Sequence, residues 1–261
     1  MIKFIIADMD GTLLSDDKQL SPDFWDIEKA LYEKNILFAV ASGRQFYNLE
    51  AVFERVKDRI LFLAENGTYA FYKGKELFVK PLETAAAIEL IEIGRTVPNA
   101  FLILCGKNSA YVENSDEAFL YQVRKHYNRV EIVPDLTQVQ DTVLKVTLCD
   151  FGHAEKNSLG YFEGFSKDFK VAVSGDIWLD ITDIGANKGT AILEIQKQLG
   201  ITYEETLVFG DFLNDLEMMQ TGKYSYAMRN AHPEIIKTSR FVTGFDNNHW
   251  GVSRTIRELV L

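Results

Sequence analysis

The chain has 261 residues, 47% of them apolar and 25% charged, with a formal net charge of -10 and a sequence pI of about 5.0. That length and apolar content suffice for one large or two modest folded domains. The acidic balance argues against nucleic acid or an anionic membrane as partner, because a phosphate backbone rewards clustered Lys and Arg.

The chain opens with a short apolar run, Ile2–Ala7, that turns abruptly polar at Asp8 and suits a buried parallel strand. The run is too short for a leader h-region or a membrane span, so a reducing cytoplasm is the expected location. Ser21-Pro22 pairs a capping side chain with proline at the first helical position, predicting a helix to Lys34. Strands are expected at Ile36–Ala41 and Ile60–Ala64, with a helix from Gln45 to Lys57 between them. This βαβαβ rhythm favours an open parallel sheet with helices on both faces.

The middle of the chain changes character. Tyr69–Tyr72 and Leu77–Lys80 flank a hairpin signal at Lys73-Gly74-Lys75. Helices are then expected at Thr84–Thr96, Asp116–His126 and Glu155–Phe165. Strands are expected at Phe101–Cys105, Ala110–Glu113, Val143–Cys149, Phe169–Val173 and Trp178–Ile181. Helix-strand-strand units in succession indicate an α+β insert, an antiparallel sheet covered by helices. Cys105 and Cys149 each lie in an apolar run without metal-ligand spacing and read as buried thiols.

From Asn187 the first rhythm resumes. Asn187 can cap a helix over Lys188–Leu199, and Thr202 with Glu205 has capping-box spacing. A strand at Leu207–Phe209, a helix at Leu213–Gln220 and strands near Tyr224–Ala227 and Phe241–Thr243 complete the sheet. The expected organisation is a discontinuous Rossmann-like α/β core, residues 1–81 and 186–261, interrupted by an α+β cap domain, residues 82–185.

Asp8-Met9-Asp10-Gly11-Thr12-Leu13 stands at the carboxyl end of the first strand, the end that faces the ligand crevice of an open α/β sheet. Side chains two apart on an extended segment point the same way, so Asp8 and Asp10 can face one substrate. One carboxylate can attack phosphorus while the other gives and takes a proton. Gly11 allows the turn, and Thr12 offers a hydroxyl and an N–H to a phosphate. The bland alternative is a turn in which the aspartates bond only the backbone; the whole hexad after an apolar strand outweighs it.

A second acidic cluster, Gly210-Asp211-Phe212-Leu213-Asn214-Asp215, follows a later strand, with Asn214 and Asp215 one turn beyond Asp211. Helix capping explains one acid there, but not two acidic clusters at the ends of strands expected to be neighbours. If Asp8, Asp10, Asp211 and Asp215 converge, their repulsion calls for a cation, and all-oxygen ligands beside a phosphate suit Mg2+. Ser42 and Gly43, after the second strand, form a simple phosphate cradle, although Ser42 also reads as an ordinary helix cap. Lys188 at a helix start is disfavoured by the dipole and is better explained by an anion opposite it. His126, His153, His232 and His249 share no ligand spacing.

These four elements in this order resemble the haloacid dehalogenase superfamily, and the insert between the Ser42 and Lys188 elements resembles its Cof-type phosphatases. Glu65-Asn66-Gly67 and the ending Asn247-Asn248-His249-Trp250-Gly251-Val252 are similar to that branch. The stretches Ala41–Leu82 and Cys105–Val112 are similar to its broad-range sugar phosphatases. The resemblance implies Asp8 as nucleophile and Asp10 as general acid/base. It implies that Ser42, Gly43, Thr12 and Asn214 hold the phosphoryl group and that Lys188 neutralises both that group and Asp8. Mg2+ would take the Asp8 and Asp211 carboxylates, the Asp10 carbonyl and Asp215, directly or through water. Gly106, Lys107 and Ser109 are candidate substrate contacts in the insert. The implied function is hydrolysis of small phosphorylated metabolites, most readily sugar phosphates. A mutase or phosphotransferase sharing the first half-reaction, and a non-catalytic phospho-aspartate switch, are the alternatives.

Overall fold

A computed structural model describes all residues, Met1–Leu261, which divide into two compact units, Met1–Phe78 with Asn187–Leu261, and Val79–Ala186. The first unit begins with β1 (Phe4–Asp8), α1 (Phe24–Glu33), β2 (Leu37–Ala41), α2 (Phe46–Val52), β3 (Ile60–Ala64) and the hairpin of β4 (Tyr69–Tyr72) and β5 (Lys75–Val79). The second contains α3 (Thr84–Gly94), β6 (Ala100–Gly106), β7 (Ala110–Val112), α4 (Glu117–His126), β8 (Val130–Ile132), β9 (Val143–Asp150), α5 (Leu159–Phe162), β10 (Phe169–Gly175) and β11 (Trp178–Asp183). The chain then returns through α6 (Lys188–Leu199), β12 (Thr206–Gly210), β13 (Tyr224–Ala227), α7 (Pro233–Thr238), β14 (Phe241–Val242) and α8 (Gly251–Leu259). No helix is long and apolar enough to cross a membrane.

The first unit is a Rossmann-like α/β fold. Its sheet runs β14-β13-β12-β1-β2-β3-β4-β5, parallel from β14 to β3 and antiparallel where β4 returns along β3. Every residue of β1 is buried, and the apolar side chains of Phe4–Ala7 feed cores on both faces. Phe4 and Ile6 pack with Ala191, Ile192 and Ile195 of α6 on one face. On the other, Phe24 of α1 meets Phe38 at 5.6 Å and Phe53 at 5.8 Å between ring centroids. Ring pairs at such spacing add to the area they bury.

The inserted unit has its own sheet, β10-β11-β9-β6-β7-β8, with apolar clusters on both faces. Leu90 and Ile91 of α3 and Phe162 of α5 fill one face; Phe119, Leu120 and Val123 of α4 fill the other. The sheet departs from the expected all-antiparallel arrangement, because the unforeseen β8 pairs parallel to β7. Val79–Pro81 and Ala186, assigned to the core from sequence, fall in this unit. Lys80 pairs with Asp183 at 3.5 Å and Leu82 N–H donates to Val143 O at 2.9 Å, tying the segment's ends to the second sheet.

Other differences are local. Pro22 is not the first helical residue: α1 starts at Phe24, because the Ser21 hydroxyl bonds the Asp23 carboxylate and Ser253 instead of capping. The helix expected at Gln45–Lys57 ends at Val52 and continues as a 3-10 turn, and that expected at Glu155–Phe165 shortens to α5 and a 3-10 turn. The helix expected at Leu213–Gln220 is two 3-10 turns, Leu213–Asp215 and Met218–Gln220, since Asp215 turns back onto the backbone of Asp211. α7 and α8 carried no expectation.

α6 lies against the segment holding Met218 by virtue of Gly189: a Cβ there would stand 2.6 Å from the Glu217 carbonyl carbon. In an open helix Gly→Ala is stabilising by about 1 kcal/mol. Here overpacking should reverse the sign, so Gly189→Ala should destabilise the protein by about 1–3 kcal/mol. Urea denaturation measures this, and an unchanged or raised midpoint would contradict the close approach.

Candidate active site

Four neighbouring strands end on one line. The parallel registers pair Asp8 with Ala41, Ala41 with Leu63 and Ala7 with Phe209. The residues just beyond these ends are therefore brought together although they lie far apart in sequence. β1 delivers Asp8 and the turn through Asp10, Gly11 and Thr12. β2 delivers Ser42–Arg44, β3 delivers Glu65–Gly67, and β12 delivers Asp211–Asp215.

Lys188 enters this line from the first turn of α6, where Asn187 caps the helix by accepting from Thr190 N–H at 2.8 Å. Its Nζ donates to Asp8 Oδ1 at 2.5 Å and to Asp215 Oδ1 at 2.6 Å. Lys188 and Asp215 are each 0% exposed, so this is a fully buried charge cluster. Burial alone would strip the Lys188 proton, but Asp215 and Asp8 outweigh it and hold the ammonium charged. The other Asp215 oxygen accepts from Asp211 N–H at 2.9 Å and Phe212 N–H at 3.3 Å. Asp215 thus shapes the backbone that carries Asp211.

The carboxylates outnumber the one lysine. Burial pushes Asp8 well above the usual carboxylate range; Lys188 opposes this, while Asp215 and Asp211 add repulsion. Asp211 is pushed up to about 6, by burial first, with Thr12 opposing and Asp215 reinforcing. Oxygens of Asp8, Asp211 and Asp215 lie within 4.8 Å of one another. An all-carboxylate set, partly buried and short of positive charge, fits a hard divalent cation such as Mg2+. Gly11, at φ +82°, is needed beside it because a Cβ would fall into the Asp211 carboxylate.

The Thr12 hydroxyl, expected on a phosphate, donates instead to Asp211 Oδ1 at 2.6 Å, because the turn at Gly11 brings it beside that carboxylate. Ser42 does not cap α2, whose N-cap is Gln45. Its Oγ accepts from Arg44 N–H at 3.2 Å in a local turn. Asn66, given no role from sequence, links two elements: its N–H donates to Ser42 O at 2.9 Å and its Oδ1 accepts from Asn214 Nδ2 at 3.0 Å. Glu65, Asn66 and Gly67 have φ of 49°, 56° and 91°, an uncommon left-handed run that only Asn-Gly hinted at. Gly67 must be glycine because Asn187 and Lys188 backbone pass where its Cβ would stand.

Asp10 faces two cations. Arg44 Nε donates to Oδ2 at 2.8 Å and Nη2 to Oδ1 at 2.6 Å, and Lys18 Nζ reaches Oδ1 at 2.8 Å. Burial pushes this carboxyl up, but the bonds and charges of Arg44 and Lys18 win and hold it below the usual range. Neither cation was assigned a role from sequence. The closing Asn247-Asn248 pair also gains one: Asn247 donates to Leu14 O and Asp16 at 3.0 Å, and Asn230 donates to Gly11 O at 2.8 Å. These amides hold the loop after β1. Gly106, Lys107 and Ser109 lie in the inserted unit around the β6–β7 turn, where Gly106 N–H donates to Ser109 O at 2.9 Å.

The family model described as haloacid dehalogenase-like hydrolase matches residues 5–256. Among relatives, a 5-amino-6-(5-phospho-D-ribitylamino)uracil phosphatase of Escherichia coli K12, YbjI, is 32% identical over 99% of this chain and 96% of its own length. The crystal structure of SMU.1108c from Streptococcus mutans superposes with a TM-score of 0.85 at 27% identity, covering 99% of this chain and 98% of that one. The sugar phosphatase BT4131 of subclass IIB shares the fold at a TM-score of 0.80 and 20% identity, with 98% of each chain covered.

The raised Asp211 carboxyl has a pH consequence. Its share of folded stability is present below the ordinary value of 3.8 and is lost as pH rises through about 6, where the ionised form meets its neighbours. A divalent cation removes that repulsion. Added Mg2+ should therefore raise the Tm more at about pH 7.5 than at about pH 5, and Asp211→Asn should lose most of the increment. Thermal melts with and without Mg2+ test this; equal increments at both pH values would contradict it.

Proposed function

Because this chain belongs to the haloacid dehalogenase-like hydrolase family, we propose that it is a Mg2+-dependent phosphatase that acts on sugar or polyol phosphates through a phospho-aspartate on Asp8. The YbjI relative, matched along nearly the whole chain, is a phosphatase. The observation that carries the reading is the buried Lys188 bridge between Asp8 and Asp215, with Asp211 alongside and Asp10 on the same turn. Such an arrangement leaves one carboxylate oxygen of Asp8 held and the other available to attack.

In the first half-reaction that oxygen forms a bond to phosphorus as the ester P–O bond breaks. Asp10, ionised beside Arg44 and Lys18, takes the proton carried by the monoanionic ester and gives it to the departing alcohol oxygen. In the second, Asp10 takes a proton from water, the water oxygen bonds to phosphorus, and the bond to Asp8 breaks with release of phosphate. Lys188 balances charge on Asp8 and the phosphoryl oxygens throughout. Ser42, Gly43 and Asn214 hold the other phosphoryl oxygens, with the backbone at Thr12. The Asp8 and Asp211 carboxylates, the Asp10 carbonyl and Asp215 would hold Mg2+, which supplies positive charge against the phosphoryl group when bound.

The YbjI relative acts on a phosphate ester of a ribityl chain, which supports a substrate esterified at a sugar or polyol hydroxyl. The inserted unit is proposed to select among such leaving groups, with Gly106, Lys107 and Ser109 as contacts.

Release of inorganic phosphate should require Mg2+ and be fastest with sugar or polyol monoesters across a broad panel of phosphometabolites. Cleavage confined to other esters would sink the substrate class. Asp8→Asn should slow release by about a thousandfold or more with its thermal melt preserved. Retention of activity within about tenfold of the parent would remove Asp8 as nucleophile.

A further inference from the structure

Asp10 lies beyond the β1 ladder, on a turn made by Gly11 at φ +82° and joined only by an isolated bridge to Leu14. Its backbone is steadied by Asn230 at Gly11 O, but nothing in its own strand sets the rotation of its carboxylate. An acid/base must present one lone pair or proton along the line to the reacting oxygen, so that rotation matters.

Arg44 supplies the missing constraint. Its Nε and Nη2 take one Asp10 oxygen each, at 2.8 and 2.6 Å, so the carboxylate plane is fixed at two points. Lys18 touches only Oδ1, from a half-open loop position with its side chain 59% exposed. The Arg44 backbone is itself anchored: its N–H donates to Ser42 Oγ and its carbonyl accepts from Glu65 N–H at 3.1 Å. A Cβ on Gly43 beside it would stand 3.1 Å from the Asn66 amide and would need that amide to shift. The guanidinium therefore projects from the same braced segment that carries Ser42. The plain alternative is an ordinary partly exposed ion pair, which contributes little to stability and does not need a fork.

We propose that Arg44 is a positioning residue whose guanidinium fork sets the rotation of the Asp10 carboxylate for proton transfer to the leaving oxygen. This rests on the reading of Asp10 as acid/base, and it couples that group mechanically to the Ser42 segment. The fork acts through geometry, with Lys18 adding charge only.

The step concerned is the one in which the ester P–O bond breaks and the proton that Asp10 takes from the monoanionic ester passes to the alcohol oxygen. An alkyl alcohol needs that proton, whereas p-nitrophenolate leaves without it. The readout is kcat/KM, which reports phosphorylation of Asp8, for ribose 5-phosphate against p-nitrophenyl phosphate in the Mg2+-loaded full-length protein. Asp10→Asn serves as reference and should lower the alkyl ester far more than the aryl ester. Arg44→Met and Arg44→Lys should both lower the alkyl-to-aryl ratio by about tenfold or more, through kcat and not KM, with thermal melts close to the parent. Lys18→Met should change that ratio by less than about threefold.

Equal losses on both esters with a raised KM in Arg44→Met would show Arg44 binding the phosphoryl group and overturn the proposal. A ratio fully retained in Arg44→Lys, or lost equally in Lys18→Met, would show that charge suffices and overturn it too. If Asp10→Asn itself shows no difference between the esters, the acid/base reading falls and the proposal with it. If Asp10→Asn shows the difference and the Arg44 variants do not, only the proposal falls.

Discussion

The structure turns on an ammonium group with no access to water. A buried lysine is tolerated only when its charge is matched and its donors are used, and breaking such a pair is far more harmful than never having built it. Lys188 meets that condition through Asp8 on β1 and Asp215 after β12, two elements joined only by tertiary structure. Close backbone approaches make the arrangement possible: Gly67 admits Asn187 and Lys188, and Gly189 admits Glu217. From Asp215 the constraint passes to the Asp211 amide, and from the Asp211 carboxylate to Thr12. One buried cation thus links Asp8, Asp215, Asp211 and Thr12 at the strand ends.

The same cluster resolves a tension in the overall charge. A chain with a formal net charge of -10 does not draw a phosphate ester by its long-range field. Positive charge is instead concentrated locally: Lys188 among the carboxylates, Arg44 and Lys18 about Asp10. Burial first, and then repulsion from neighbouring carboxylates that one ammonium does not balance, raises the Asp8 and Asp211 carboxyls. That deficit and the hardness of the oxygen donors are two expressions of one fact, a site assembled for more positive charge than its side chains contain.

The two units divide this work unevenly. Asp8, Asp10, Lys188, Asp211 and Asp215 at the strand ends all belong to the first unit, whose parallel registers align them. The inserted unit has its own sheet and two apolar clusters, and within it Lys145 stands 3.4 Å from Asp180, which also accepts from Thr147 at 2.6 Å. It therefore has its own packed interior.

What could be read from the residues alone was whatever repeats at short range. Apolar runs ending in Asp8 and Asp211, the alternation of strands with helices, and Asn187 before Lys188 are local patterns, and they indicated the α/β core, the insert and the family likeness. Short-range patterns misjudged Leu213–Gln220, where Asp215 turns back to its own backbone and replaces a helix with 3-10 turns. They also left Arg44, Lys18, Asn66 and Asn230 without roles, because each acts on a partner that another strand or loop brings near. Which carboxylate Lys188 would meet, and that Thr12 would turn to Asp211, depended on the register of parallel strands whose connections run the length of the chain. Residue types announced a site of aspartates and a lysine; only the packing of β1 between β2 and β12 decided which of them touch.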